Sequence, residues 1–188
     1  MKQIQITRDA SGNVRFDPNP VSVDTTETVF FINLDPLQAH FPSICANQLG
    51  PAPSPPSSQC HPTPTYNCTF HPTEIGTINI FPVLAAVANT TLNAATNGQP
   101  ITQQQVVRGG MSPYQISNEV FQIVDGAGNI LQSGSGIGPG LQLVPMMNNT
   151  GVFVRGTPTV SGIYQFSFEV NDGMGKNLQQ VLYSMIVT

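Results

Sequence analysis

The chain is poor in charge. Lys, Arg, Asp and Glu make up 9% of its 188 residues, 6 basic against 10 acidic, for a formal net charge of −4. No cluster of Lys and Arg occurs, which argues against a nucleic-acid partner, because phosphate contacts need grouped positive charge. No apolar stretch approaches the roughly 18 residues of a membrane span. No segment has the length and 3.6-residue period of a long helix. Residues 85–95 come nearest, and Asn and Thr interrupt them. No signal peptide precedes the first strand-like run: Met1-Lys2 leads straight into Gln-Ile-Gln-Ile-Thr, which reads as a mature chain with an added Met. Histidines number only 3, and none stands in a hydrolase context. With no phosphate loop or paired carboxylates either, an enzyme is not expected.

What is present points to β structure. Gly and Pro number 17 each, and most of the remainder is Thr, Asn, Gln, Ser and β-branched residues. This mixture of turn formers and strand formers reads as all-β. The length allows one large or two small domains. Residues 3–7 alternate as a strand, Val14-Arg15-Phe16 and Val21 to Val23 follow, and Thr28 to Leu34 is apolar enough to be buried on both faces. Residues 42–65 are expected to be irregular, because Pro42, Pro51, Pro53, Pro55, Pro56, Pro62 and Pro64 exclude regular ladder pairing over most of the stretch. A last strand of this half runs from Thr77 to Ile80.

The chain has 3 cysteines. An odd count fits an oxidising compartment if two pair and one binds metal. Cys45 and Cys60 bracket the Pro-rich loop and are expected to close it as a disulfide; three free buried thiols is the alternative.

Residues 60–74 concentrate the chemistry, with two of the three cysteines and two of the three histidines. Cys68 and His71 stand three residues apart before a strand, where a thiolate and an imidazole can share one metal ion. Cys60, His61, Cys68 and His71 together form a rival set for zinc, although their spacing is atypical. The stretch resembles the metal-binding loop of the cupredoxins, most closely the short Cys-x-x-His-x-x-Met loop of the amicyanin type. The upstream order is also similar: a Phe-x-Pro segment, a Val-rich strand, a turn, an apolar strand ending in Asn33, then His40. The resemblance implies a Greek-key β-sandwich holding one copper ion per chain, with His40, Cys68 and His71 as ligands. Glu74 falls where the family has its axial methionine, and a carboxylate there would favour Cu(II). His40 and Cys68 have 27 residues between them, fewer than the family usually places there.

The second half differs in texture. It carries Gly109-Gly110-Met111-Ser112-Pro113-Tyr114, Pro139-Gly140-Leu141, Gly156-Thr157-Pro158-Thr159, and a run from Gly162 to Asp172 in which Tyr164, Phe166, Phe168 and Val170 share one face. This order resembles the immunoglobulin-like repeat of bacterial surface proteins, which implies a second β-sandwich and little about activity. Asp125 to Asn129 reads as a hairpin turn rather than a calcium loop.

The expected organisation is therefore a cupredoxin-like domain over 1–82, a linker over 83–90 and an Ig-like domain over 91–188. The expected function is copper holding or one-electron transfer by a secreted, periplasmic or cell-surface protein, with a redox partner protein. The alternative is a structural subunit that self-associates into an extracellular filament or surface layer, since low charge density permits association. A small-molecule redox reaction at an open copper position is a third reading.

Overall fold

A computed structural model describes residues 2–52 and 57–188. Pro53, Pro55 and Pro56 of the proline-rich loop lie outside the described residues, as does Met1. The protein is all-β, with no helix among the described residues, so 85–95 is not helical and nothing is long and apolar enough to cross a membrane as a helix. It divides into two compact units, Met1–Phe81 and Pro82–Thr188.

The first unit has two sheets. One has the order β2-β1-β4-β5, from β1 (Lys2–Arg8), β2 (Val14–Asp17), β4 (Val29–Asn33) and β5 (Ser57–Cys60). The other has the order β3-β7-β6, from β3 (Val21–Asp24), β6 (Thr65–Cys68) and β7 (His71–Phe81). β1 runs parallel to β4, and β3 runs parallel to β7. The period-2 alternation of these strands turns one face of each sheet into the core. Ile4, Ile6, Val29 and Phe31 come from one sheet, and Val21, Val23, Tyr66, Cys68 and Ile78 from the other. Burying a side chain such as Phe31 contributes about 1.5–3 kcal/mol. Tyr66 packs edge-on against Phe16 and Phe31, with ring centroids 4.8 and 4.9 Å away.

Two expectations are corrected here. β4 is buried on one face only, through Val29, Phe31 and Asn33, while Phe30 and Ile32 are half-buried. The stretch 42–65 is not irregular throughout. Ser57 to Cys60 is free of proline, keeps its amide donors, and pairs antiparallel with β4, Val29 opposite Cys60. Cys45 and Cys60 form a disulfide with Cα atoms 4.9 Å apart, which ties the loop to this strand.

The second unit is built from β8 (Ala85–Ala86), β9 (Gln104–Arg108), β10 (Gln115–Val124), β11 (Ile130–Ser135), β12 (Leu141–Pro145), β13 (Gly151–Gly156), β14 (Gly162–Asn171), β15 (Asn177–Leu178) and β16 (Tyr183–Val187). Its sheets have the orders β12-β13-β9-β8 and β11-β10-β14, with β15 and β16 both pairing with β14. Tyr164, Phe166, Phe168 and Val170 are all buried, and the rings of Phe166, Phe168 and Tyr183 stack in the core. The stretch 83–90, expected as a linker, carries β8, which pairs with β9 of this unit. Asp125 makes the expected turn, its Oδ1 accepting from the amides of Ala127 and Asn129.

Candidate metal centre

The site is built on a hairpin. β6 ends at Cys68 and β7 begins at His71, so Thr69 and Phe70 alone make the turn and Cys68 stands directly opposite His71 in the ladder. Directly opposed residues project their side chains to the same face. A three-residue spacing, which would separate the two along a single strand, therefore brings them together. Cys68 Sγ lies 3.5 Å from His71 Nδ1.

His40 reaches the same place from a neighbouring segment. Its backbone exchanges both hydrogen bonds with Leu49, and Pro42 is bridged to Cys68. The amides of Thr69 and Ser43 donate to the carbonyls of Phe41 and Asn67, which sews residues 41–43 along β6. Buried Asn33 at the end of β4 fixes the preceding turn. Its Oδ1 accepts from the amide of Asp35, and its Nδ2 donates to the carbonyls of Gln38 and Gly50. The result places His40 Nδ1 3.5 Å from Cys68 Sγ. His40 and Cys68 are fully buried, and His71 is half-buried.

The far nitrogen of each ring is held by an oxygen that can only accept. His40 Nε2 donates to Asp35 Oδ2 at 2.8 Å, and His71 Nε2 donates to Gln38 Oε1 at 2.8 Å. Arg8 donates to both of those oxygens, at 2.7 and 2.6 Å. An arginine has no acceptor, so the Gln38 atom is its carbonyl oxygen. With a proton on Nε2 of each ring, Nδ1 is the nitrogen left to face Cys68: it donates to the thiolate while the ring is a cation and can ligate a metal once that proton leaves.

Burial alone would push the Cys68 thiol up. The two imidazoles and the amides of Phe41 and Phe70 outweigh it and bring the thiol down to about 6. Burial likewise disfavours His40 as a cation, but Cys68 and then Asp35 raise it above the ordinary imidazole range. Asp35 is held below the usual carboxylate range against its own burial, by His40, the Leu37 amide and Arg8.

His40 Nδ1, Cys68 Sγ and His71 Nδ1 lie within 4.8 Å of one another and can hold a metal ion. The spacing fits one. Metal bonds of about 2.3 Å to thiolate and about 2.0 Å to imidazole, meeting at a tetrahedral or slightly wider angle, place sulfur and nitrogen about 3.5 Å apart. Sulfur-to-nitrogen distances of 3.5 Å are present on both sides. The same spacing suits a hydrogen bond in the metal-free protein.

Glu74, expected as a fourth ligand, is not part of this group. β7 begins at His71, but its pairing with β6 jumps from Cys68–His71 to Asn67–Ile75, so Pro72, Thr73 and Glu74 bulge out of the ladder without a partner on β6. The charge of Glu74 acts instead on Arg15, after the stronger influence of Asp9. The rival zinc set does not form, because Cys60 is consumed by the disulfide and His61 is exposed. Asp35, Gln38 and Arg8 were not singled out from the sequence. The turn that carries Asp35 and Gln38 leads directly into His40 and offered a local hint; Arg8, on β1, offered none.

No protein-family model matches the chain, and no curated protein matches it in sequence. Among solved structures, the crystal structure of the ZIG-8 IG1 homodimer is 16% identical over 55% of this chain and 83% of that one, with a TM-score of 0.28. The endo-fucoidan hydrolase MfFcnA4 of glycoside hydrolase family 107 is 12% identical over 97% of this chain, with a TM-score of 0.34, and the match spans 33% of the hydrolase. Both scores are low, and the description of the fold rests on its own sheets.

Proposed function

We propose that the first unit is a cupredoxin-like copper site that holds one copper ion or passes one electron, without turning over a substrate. The observation that carries this reading is the convergence of two imidazole Nδ1 atoms on one buried cysteine sulfur, each at 3.5 Å. A thiolate with two imidazoles is a donor set that suits copper in both oxidation states, and copper so bound supplies one-electron chemistry. The residues of the chain have separate tasks. Cys68 offers a sulfur already poised to lose its proton near neutral pH. Asp35 and Gln38 keep each ring in the ligating orientation, and His71 alone of the three reaches solvent. A periplasmic or extracellular setting fits the Cys45–Cys60 disulfide.

The test is to add Cu(II) to metal-free protein and record the visible spectrum beside a Cys68→Ala variant. A strong thiolate-to-copper band that vanishes in the variant is expected. Wild-type protein without such a band would refute the reading.

A second reading, self-association into a surface assembly, is favoured by β11. This strand lies at the end of its sheet, pairs on one side only among the described residues, and all six of its residues are exposed. An open edge is a template for a strand from another copy. Sedimentation across a concentration series tests it, and a monomer at every concentration would exclude it.

A further inference from the structure

We propose that Arg8 is the positioning residue of the metal centre: one guanidinium ties the two histidine ligands together from outside the ligand set. The inference rests on the metal reading above and assigns a role to a residue on a different strand from any ligand.

The argument begins with the acceptors. Asp35 Oδ2 takes two donors, His40 Nε2 and Arg8 Nε. Gln38 Oε1 also takes two, His71 Nε2 and Arg8 Nη2. Nε and Nη2 lie on the same edge of a planar, rigid fork, so the separation of their hydrogen bonds is fixed. That fixes the separation of the two oxygens, and with it the two rings that hang from them. The third nitrogen, Nη1, donates to the carbonyl of Gly12 in the β1–β2 turn at 2.6 Å, which anchors the fork to the sheet.

The need for such a clamp is unequal at its two ends. Asp35 is buried and is also held by the Leu37 amide and its own backbone contact to Asn33. Gln38 is exposed, and no other side chain among the described residues is hydrogen-bonded to its amide oxygen. An exposed glutamine left alone samples several rotamers. Arg8 removes that freedom, so the half-buried His71 is aimed by a residue that never touches it. Outer partners of this kind commonly set ligand orientation.

Lysine is the discriminating replacement. It keeps the positive charge beside Asp35 but presents a point charge without the fork, so it cannot span both oxygens. The experiment uses the full metal-free chain with isotope-labelled histidine. It follows the exchange of each ring Nε2 proton, and then the dissociation constant for Cu(II). In Arg8→Lys, the His71 Nε2 proton is expected to lose its protection while the backbone amide spectrum stays that of the wild type. Copper affinity should fall about 10- to 100-fold. Gln38→Ala changes an exposed side chain and avoids any doubt about folding. It should release the His71 proton, leave the His40 proton protected, and weaken copper to a similar extent. Unchanged His71 protection and copper affinity in Arg8→Lys would overturn the proposal, as would release of the His40 proton alone, which would make Arg8 merely the counter-ion of Asp35. Wild-type protein that takes up no copper would sink the copper reading instead, and the proton-exchange arm would still decide the clamp.

Discussion

Cys68 and His71 face each other across a two-residue turn, paired in the ladder of β6 and β7 with sulfur and Nδ1 3.5 Å apart. The ligand geometry thus depends on the local pairing at the tip of the hairpin, which a bulge in β7 sets off from the Asn67–Ile75 register. A strand slipped by one residue sends every side chain to the opposite face. Inserting one glycine between Thr69 and Phe70 should therefore abolish the thiolate-to-copper band, although every ligand is still present. Circular dichroism should show the β structure retained. A band surviving the insertion would mean that the loop, not the ladder, places His71.

The thiol of Cys68 supplies a second prediction. Its two imidazole neighbours and two amide donors bring it down to about 6 despite burial, whereas an ordinary cysteine titrates near about 8.5. Below pH 6 the neutral thiol should dominate in metal-free protein, and at neutral pH the thiolate should. Metal uptake at neutral pH should then release little proton from sulfur. Ultraviolet thiolate absorbance against pH, with Cys68→Ser as the blank, measures the midpoint. A curve centred on the ordinary cysteine value would count against the convergence of both histidines on sulfur.

How far the sequence disclosed this site follows from what each feature depends on. The alternations of Ile4 with Ile6, Val21 with Val23, and Tyr164 through Val170 are local and visible at period 2. Cys68 and His71 were visible as a short-range pair. His40 entered through the resemblance of the order of strands leading to it. Glu74 enters the expected ligand set only through its place in the resembling loop, and the bulge in β7 between His71 and Ile75 is not visible in that spacing. β5 was overlooked because the surrounding prolines overshadowed four residues that lack them. Asp35, Gln38 and Arg8 belong to a different class. Their roles exist only once β1, the 33–40 turn and the hairpin are brought together, and no spacing along the chain encodes that meeting.

The disulfide gives a prediction about stability. Cys45 and Cys60 are 15 residues apart and join the loop to the edge strand β5. Cross-linking a loop of that length stabilises by about 3 kcal/mol in the loop-entropy account. A double Cys45→Ser, Cys60→Ser variant should lose about that much in denaturant unfolding of the first unit. The second unit has no cysteine and serves as an internal control. Wild-type protein in reductant should behave like the variant. Equal stability with and without reductant would show that the cross-link contributes nothing.

Tyr66 and Gly76 make a last pair of predictions, in opposite directions. They stand opposite each other in the β6–β7 ladder, and a Cβ built on Gly76 would lie 2.0 Å from Tyr66 Cζ. The ring cannot retreat, because Phe16 and Phe31 pack against it edge-on. Gly76→Ala should therefore destabilise the first unit by about 1–3 kcal/mol, the usual cost of overpacking a filled core. Replacing Tyr66 with Phe would not relieve that clash, since the offending atom belongs to the ring. On the glycine background, however, Tyr66→Phe should act the other way. Tyr66 Oη is buried and makes no hydrogen bond among the described residues, so the hydroxyl carries a desolvation cost with no bond to offset it. Its removal should be neutral or stabilising by about 1 kcal/mol. Thermal unfolding of the two single variants and the double variant decides both points. A destabilised Tyr66→Phe protein would reveal a partner for the hydroxyl, and an unperturbed Gly76→Ala would show that β7 yields more readily than its packing suggests.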